Sequence, residues 1–122
     1  SDRMFYGLTE LEAIEFGTLN TEGIVSMSSM FENCYNLEYL NLSSFDTSSV
    51  LRMNDIFREC TNLKYLNINN FVVSRLNSSS NANAYSNMFM GCNNLEIVIN
   101  PDIKDFINAR LGDNHTATLI IK

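Results

Sequence analysis

The sequence holds little of what several classes of protein are built from. It has no tryptophan, one proline, five glycines, three cysteines and one histidine in 122 residues. So little proline and glycine excludes a flexible or low-complexity linker. An odd number of cysteines does not form a closed set of disulfide pairs. Apolar residues make up 45% of the chain, which is ample for a hydrophobic core.

Basic residues are also scarce. The chain has 8 Lys and Arg against 14 Asp and Glu, a net charge of −6. This charge argues against nucleic acid or an anionic membrane as a partner. No apolar run approaches the roughly 18 residues of a membrane span, so we expect no membrane insertion of this segment.

A leucine-led pattern, in contrast, occurs four times. Its leading leucines are separated by 26, 26 and 32 residues, and the stretches are Leu11–Phe16, Leu37–Leu42, Leu63–Ile68 and Leu95–Asn100. A fixed period of this length is typical of one supersecondary unit that is stacked repeatedly.

Each unit changes its hydrophobic period along its length. Apolar residues alternate after the leading leucine, which predicts strands near 11–16, 37–42, 63–68, 95–99 and 117–121. Further on they recur in steps of three and four, which predicts helices near 24–34, 50–60, 85–92 and 101–111. The last helix is marked by Asn100-Pro101 at its start and Gly112 at its end.

The junction between units carries a second recurring motif. It reads Met30-Phe31…Cys34…Asn36-Leu37, then Ile56-Phe57…Cys60…Asn62-Leu63, then Met88-Phe89…Cys92…Asn94-Leu95. With the leucine-led stretches, this motif resembles the BspA-like leucine-rich-repeat family over residues 4–100. The third unit departs from it at Val72–Arg75 and in a polar surplus at 77–84, which we expect to form a loop away from the strands.

The resemblance and the period together predict the architecture. We expect an α/β, right-handed leucine-rich-repeat solenoid with a parallel sheet on one face and short helices on the other. Residues 1–122 then form a single repeat domain. Residues 1–10 are the tail of a preceding repeat, which favours a fragment of a longer array. Full repeats follow at 11–36, 37–62 and 63–94, then the final repeat strand at 95–100 and a C-terminal cap at 101–122.

The resemblance also implies a role. BspA-like proteins are typically secreted or surface proteins of microbes, implicated in adhesion. We therefore expect a non-catalytic binding module at the cell surface or outside the cell, with an extracellular protein or glycan as its partner. The alternative is a structural spacer within a longer surface array.

The candidate ligand-binding residues are those between the apolar positions of the strands, because alternate side chains face opposite sides of a sheet. Tyr39, Tyr65 and Ile97 are expected to form one exposed column, and the flanking positions hold Glu38, Lys64, Asn41 and Asn67. Such a column has the composition of a protein-binding patch. Cross-strand pairing that merely stabilises the sheet is the alternative.

The cysteines occupy one position of successive units. Because Leu8 fills the corresponding place at the start, we interpret Cys34, Cys60 and Cys92 as buried free thiols. One bridge between neighbouring units and a three-cysteine metal site are the alternatives. His115 has no nucleophile at a recognised spacing, so we expect no catalytic residues, no metal site and no cofactor.

Overall fold

The protein consists of short strands joined by turns, with few helices. The computed structural model describes residues 3–8, 10, 13–16, 21–77, 82–112 and 115–122, with 13–15, 77 and 82 described by their backbone alone. In chain order the elements are β1 (Ala13–Glu15), β2 (Tyr39–Asn41), β3 (Tyr65–Asn67), α1 (Ser74–Asn77), a 3-10 turn (Ala82–Tyr85), β4 (Glu96–Ile99), a 3-10 turn (Pro101–Ile103), α2 (Lys104–Leu111) and β5 (Thr118–Ile121).

The five strands form one parallel sheet in the order β1-β2-β3-β4-β5. Each lies within a stretch predicted as a strand. Tyr39 pairs with Tyr65, so the register between β2 and β3 follows the 26-residue period. The α/β class and the parallel sheet are thus confirmed.

The predicted helices 24–34, 50–60 and 85–92 are wrong. In their place lie turn segments at residues 28–33, 54–59 and 86–91, and residues 3–7 form a fourth segment of the same kind. The buried residues Met27, Met30, Phe31 and Cys34 still recur in steps of three and four. A ribbon of successive tight turns therefore produces the same spacing as one face of a helix.

Left-handed residues at four-residue intervals explain why these segments are not helical. Ser29 and Asn33 have φ of 57° and 64°, and Asp55 and Glu59 have φ of 59° and 61°. Such residues cannot continue a right-handed helix, and each non-glycine costs roughly 1–2 kcal/mol. The last segment uses Gly91 at this place, with φ of 85°, where the penalty disappears.

Hydrogen bonds between successive turn segments offset this cost. Phe5 donates its N–H to Met30 O, Phe31 donates to Ile56 O, and Phe57 donates to Met88 O, at 2.9–3.1 Å. Alternate residues in the first three segments do the same, and each donates to the next segment along the chain. We call this arrangement the turn ladder. A helix would have used these N–H groups internally.

The core lies between the sheet and the turn ladder. Its leucines and isoleucines come mainly from the strands and the residues beside them, and its methionines and phenylalanines come mainly from the turn side. Phe5, Phe31, Phe57 and Phe89 stack in one column with ring centroids 5.3, 6.0 and 5.7 Å apart. The side chains that repeat along the sequence therefore contact one another between units.

Polar side chains also join the units. Buried Thr47 donates its hydroxyl to Val72 O at 3.2 Å and accepts Val72 N–H at 2.8 Å. Thr21, one unit earlier, accepts the N–H of Asp46 at 2.7 Å. Asn62 Nδ2 donates to Tyr35 O at 2.7 Å, and such bonds account for part of the high asparagine content.

The predicted cap helix is confirmed. Asn100 Oδ1 accepts the N–H of Asp102, Pro101 follows it, and α2 ends at Gly112, with φ of 82°. Phe106 and Ile107 of α2 are buried against the core. In the surplus of the third unit, residues 78–81 lie outside the described part, and Ala84 beyond them is buried.

Candidate functional site: the open face of the sheet

The strand register defines the rows of side chains on the sheet face opposite the core. Leu40 and Leu66 point inward and are fully buried. Tyr39 and Tyr65, which precede them and pair with each other, are partly exposed. The same register aligns Asn41 with Asn67. The structure therefore brings the two predicted tyrosines together on this face.

The tyrosine rings of this face stack on each other. The centroids of Tyr39 and Tyr65 are 4.9 Å apart and the ring planes are inclined by 5°. Such a pair contributes about 0.5–1.5 kcal/mol beyond the area it buries. The two rings form a rigid, amphipathic platform, because a tyrosine has few rotatable bonds to fix.

An ion pair flanks the platform. Lys64 Nζ lies 2.7 Å from Glu38 Oε1. The hydrogen bond to Glu38 and its charge raise the pKa of Lys64. Both side chains are well exposed, so water screens the pair and both groups stay accessible.

Asn41 and Asn67 stabilise the turns that follow their strands. Asn41 Oδ1 accepts the N–H of Ser43, and Asn67 Oδ1 accepts the N–H of Asn69, both at 3.0 Å. These bonds form the turns that end β2 and β3. Both residues are only partly buried, so they border the platform while holding the strand ends.

The predicted place of Ile97 is wrong. Ile97 pairs with Leu66, not Tyr65, and is fully buried in the core. The last unit has one residue fewer between its leading leucine and the strand, so the neighbour of Tyr65 is the exposed Glu96. The run Ile97-Val98-Ile99 has no alternation that could have fixed the register.

Residues 1–110 match the family described as "Mycoplasma protein of unknown function, DUF285". The chain belongs to the DUF285 family. No curated protein and no solved structure matches it.

Two face residues of this DUF285 chain were not predicted from the sequence. They are the exposed Glu96, and Val98, which is aligned with Asn67 but is only 2% exposed and so offers no surface to a ligand. In backbone register, the row that contains Tyr39 and Tyr65 starts at Ala13 and continues through Glu96 to Thr118. In the fourth leucine-led stretch the strand begins one residue closer to its leading leucine than in the earlier stretches. The apolar positions can be aligned without this shift, so the sequence did not reveal that Glu96 follows Tyr65 in the row.

The cysteines of the DUF285 chain are free thiols. Cys34 donates to Phe5 O, Cys60 to Phe31 O and Cys92 to Phe57 O, each at 3.1 Å. The contact with Cys34 and burial together raise the pKa of Cys60. Burial raises the pKa of Cys92 to about 12. The hydrogen bond with Cys60 lowers the pKa of Cys34. Cys60 and Cys92, whose pKa values are raised, are protonated and poorly nucleophilic at neutral pH.

The remaining chemical groups of the DUF285 chain do not converge. Exposed His115 accepts the N–H of Ala117 at its Nδ1. Among the described residues, no group of three His, Cys, Asp or Glu side chains could hold a metal ion. Over the same part of the chain, no helix is long and apolar enough to cross a membrane.

Proposed function

We propose that this chain is a non-catalytic binding module of a secreted or surface-exposed protein, and that it docks a protein or glycan on the open face of its sheet. The stacked pair Tyr39 and Tyr65 carries the proposal. Aromatic side chains are enriched where a protein surface binds a partner, and a flat sheet row presents these two rings side by side.

The architecture proposed with this role is a right-handed, BspA-like leucine-rich-repeat solenoid. The parallel strands in chain order, the 26-residue register and the turn ladder support it. The resemblance to BspA-like proteins supports an extracellular or cell-surface location. The platform would then be the part of the repeat that faces a ligand.

The charged groups beside the platform define how a partner would be recognised. Glu38 and Lys64 neutralise each other, and Glu96 adds an exposed carboxylate next to Tyr65. Because the two rings cover each other's inner faces, a partner would pack an aromatic, sugar or guanidinium group against an outer ring face or the ring edges, and bond to the charged and amide groups around them. The platform offers no nucleophile and base in contact, so the proposal includes no chemical reaction.

The test is a double substitution, Tyr39→Ser with Tyr65→Ser. Partners captured by the immobilised wild-type chain, and glycans bound on an array, should lose at least about tenfold in affinity, the scale of a binding hot spot. Tyr35→Ser is the matched control, because Tyr35 is 43% exposed but lies outside the strands. Equal losses in both variants would contradict the proposal.

A spacer role is the second candidate, and one observation favours it. Two clefts in the described part border the C-terminal cap, and neither is lined by Tyr39 or Tyr65. In this case the tyrosines stabilise the sheet only. The double substitution would then lower the free energy of unfolding while every captured partner binds unchanged.

A further inference from the structure

The last turn segment ends the turn ladder with donors that have no acceptor. In the preceding segment, Asp55, Phe57 and Glu59 donate their N–H groups to the carbonyls of Ser86, Met88 and Met90 at 2.6–3.1 Å. The residues at the same places in the last segment are Asn87, Phe89 and Gly91. Within the described ranges, the N–H groups of these three residues donate to no other group.

A cleft lies beside these donors. It has a volume of about 550 Å³ and is lined by all three residues, by Arg110 and Leu111 of α2, and by His115–Ala117 before β5. This volume lies within the range of roughly 300–1,000 Å³ that is usual for ligand sites. The three residues whose N–H groups would bond to a further turn segment therefore all border this cleft.

The described lining of the cleft is rich in donors. Its charged residue is Arg110, whose guanidinium lies over the ring of Tyr85 at 4.4 Å, and the described lining includes no Asp or Glu. His115 accepts a hydrogen bond at Nδ1, so its neutral form carries the proton on Nε2. The described groups of the cleft thus include N–H donors that a ligand with acceptors would satisfy.

We propose that the cleft binds a short polypeptide segment through its main chain, with the N–H groups of Asn87, Phe89 and Gly91 donating to carbonyls of alternate residues. The chain itself provides the precedent, because three earlier segments are each bonded in this way by a following segment. The donors belong to alternate residues and take separate acceptors at each earlier level, which fits a peptide better than one small anion. The mode is equivalent to adding a strand to a sheet edge.

The test uses the chain's own precedent as its probe. The probe is the hexapeptide Ser-Asn-Met-Phe-Met-Gly, the sequence of residues 86–91, acetylated and amidated. On titration into the isotope-labelled chain, the amide protons of Asn87, Phe89 and Gly91 should shift downfield together. Their hydrogen exchange should slow by at least about tenfold, as expected for amides that gain acceptors.

Two variants separate a bound cleft from a general effect. Thr116→Trp places a large ring in the cleft lining, and Thr118→Trp makes the same change at an exposed residue outside that lining. The first should abolish the shifts while the second preserves them. Equal binding by both variants, or a response confined to other amides, would overturn the proposal.

A measurement on the free chain tests the premise without any variant. The amides of Asn87, Phe89 and Gly91 should exchange faster than those of Asp55, Phe57 and Glu59, which have acceptors. Equal protection of the two sets would show that the row is already occupied. That result would reject the site, as would the absence of any amide shift with the peptide.

Discussion

Replacing Thr47 by valine tests whether side-chain hydrogen bonds hold successive units together. The change removes one bond donated to Val72 O and one accepted from Val72 N–H. A valine fits this environment, because Val73 occupies the corresponding place one unit later and is only 6% exposed. The variant therefore isolates the hydroxyl from the shape of the side chain.

The magnitude follows from the two main-chain groups left without a partner. A buried group in that state costs about 1–3 kcal/mol. Val72 itself is 41% exposed, so water reaches part of its backbone. We therefore expect a total loss of about 2 kcal/mol in the free energy of unfolding, measured from the midpoint and slope of urea denaturation.

Thr47→Ser is the matched control. Serine keeps the hydroxyl and loses one methyl group, at a cost of about 0.8 kcal/mol. Val73→Thr is the reverse change one unit later. It should destabilise the protein, because its new hydroxyl would be buried without a hydrogen-bond partner. The reasoning is refuted if Thr47→Val is as stable as the wild type, or if the serine variant is the less stable of the two.

Two further substitutions and one pH profile test the core and the turn ladder. Cys60→Ala should cost about 1–2 kcal/mol, the scale for losing a small buried group, and the folded thiol should resist a thiol reagent that modifies it in denaturant; a fast reaction in the folded state would contradict its burial. Burial raises the pKa of Cys92 to about 12, so the Cys92 thiol loses its proton at lower pH in the unfolded chain than in the folded one. The free energy of unfolding should therefore fall as pH rises from about 9 toward about 12, and a flat profile over this range would contradict the prediction. Gly91→Ala should destabilise the protein by about 1–2 kcal/mol, because alanine is strained at a φ of 85°, whereas the Glu59 carboxylate, 2.8 Å from the new Cβ, lies at the end of a flexible side chain and can move aside. An unchanged thermal midpoint would contradict this backbone strain.

The strands could be predicted because two independent signals agreed. Alternation of apolar residues marked each strand, and the 26-residue period set the pairing of Tyr39 with Tyr65. The period failed at Ile97, where a run of three apolar residues fits either face. β4 begins one residue after Leu95, whereas β2 and β3 begin two residues after their leading leucines. Only the hydrogen bonding between β3 and β4 reveals this shift of register.

The turn segments could not be distinguished from helices by hydrophobic spacing. A helix and a ribbon of tight turns both bury residues at steps of three and four. The difference lies in residues such as Asn33 and Asn87, which accept left-handed conformations, and in N–H groups that bond to the next unit instead of within the same one. Propensity scales do not include this second term, because it exists only when units are stacked.

The turn ladder has a consequence for how such a gene can change length. Every internal unit receives hydrogen bonds from the unit before it and donates the same set to the unit after it. An in-frame duplication of one unit's codons would therefore insert a turn whose donors and acceptors already match on both sides. Unequal recombination between neighbouring repeats could then lengthen or shorten the protein in steps of 26 residues without designing a new contact.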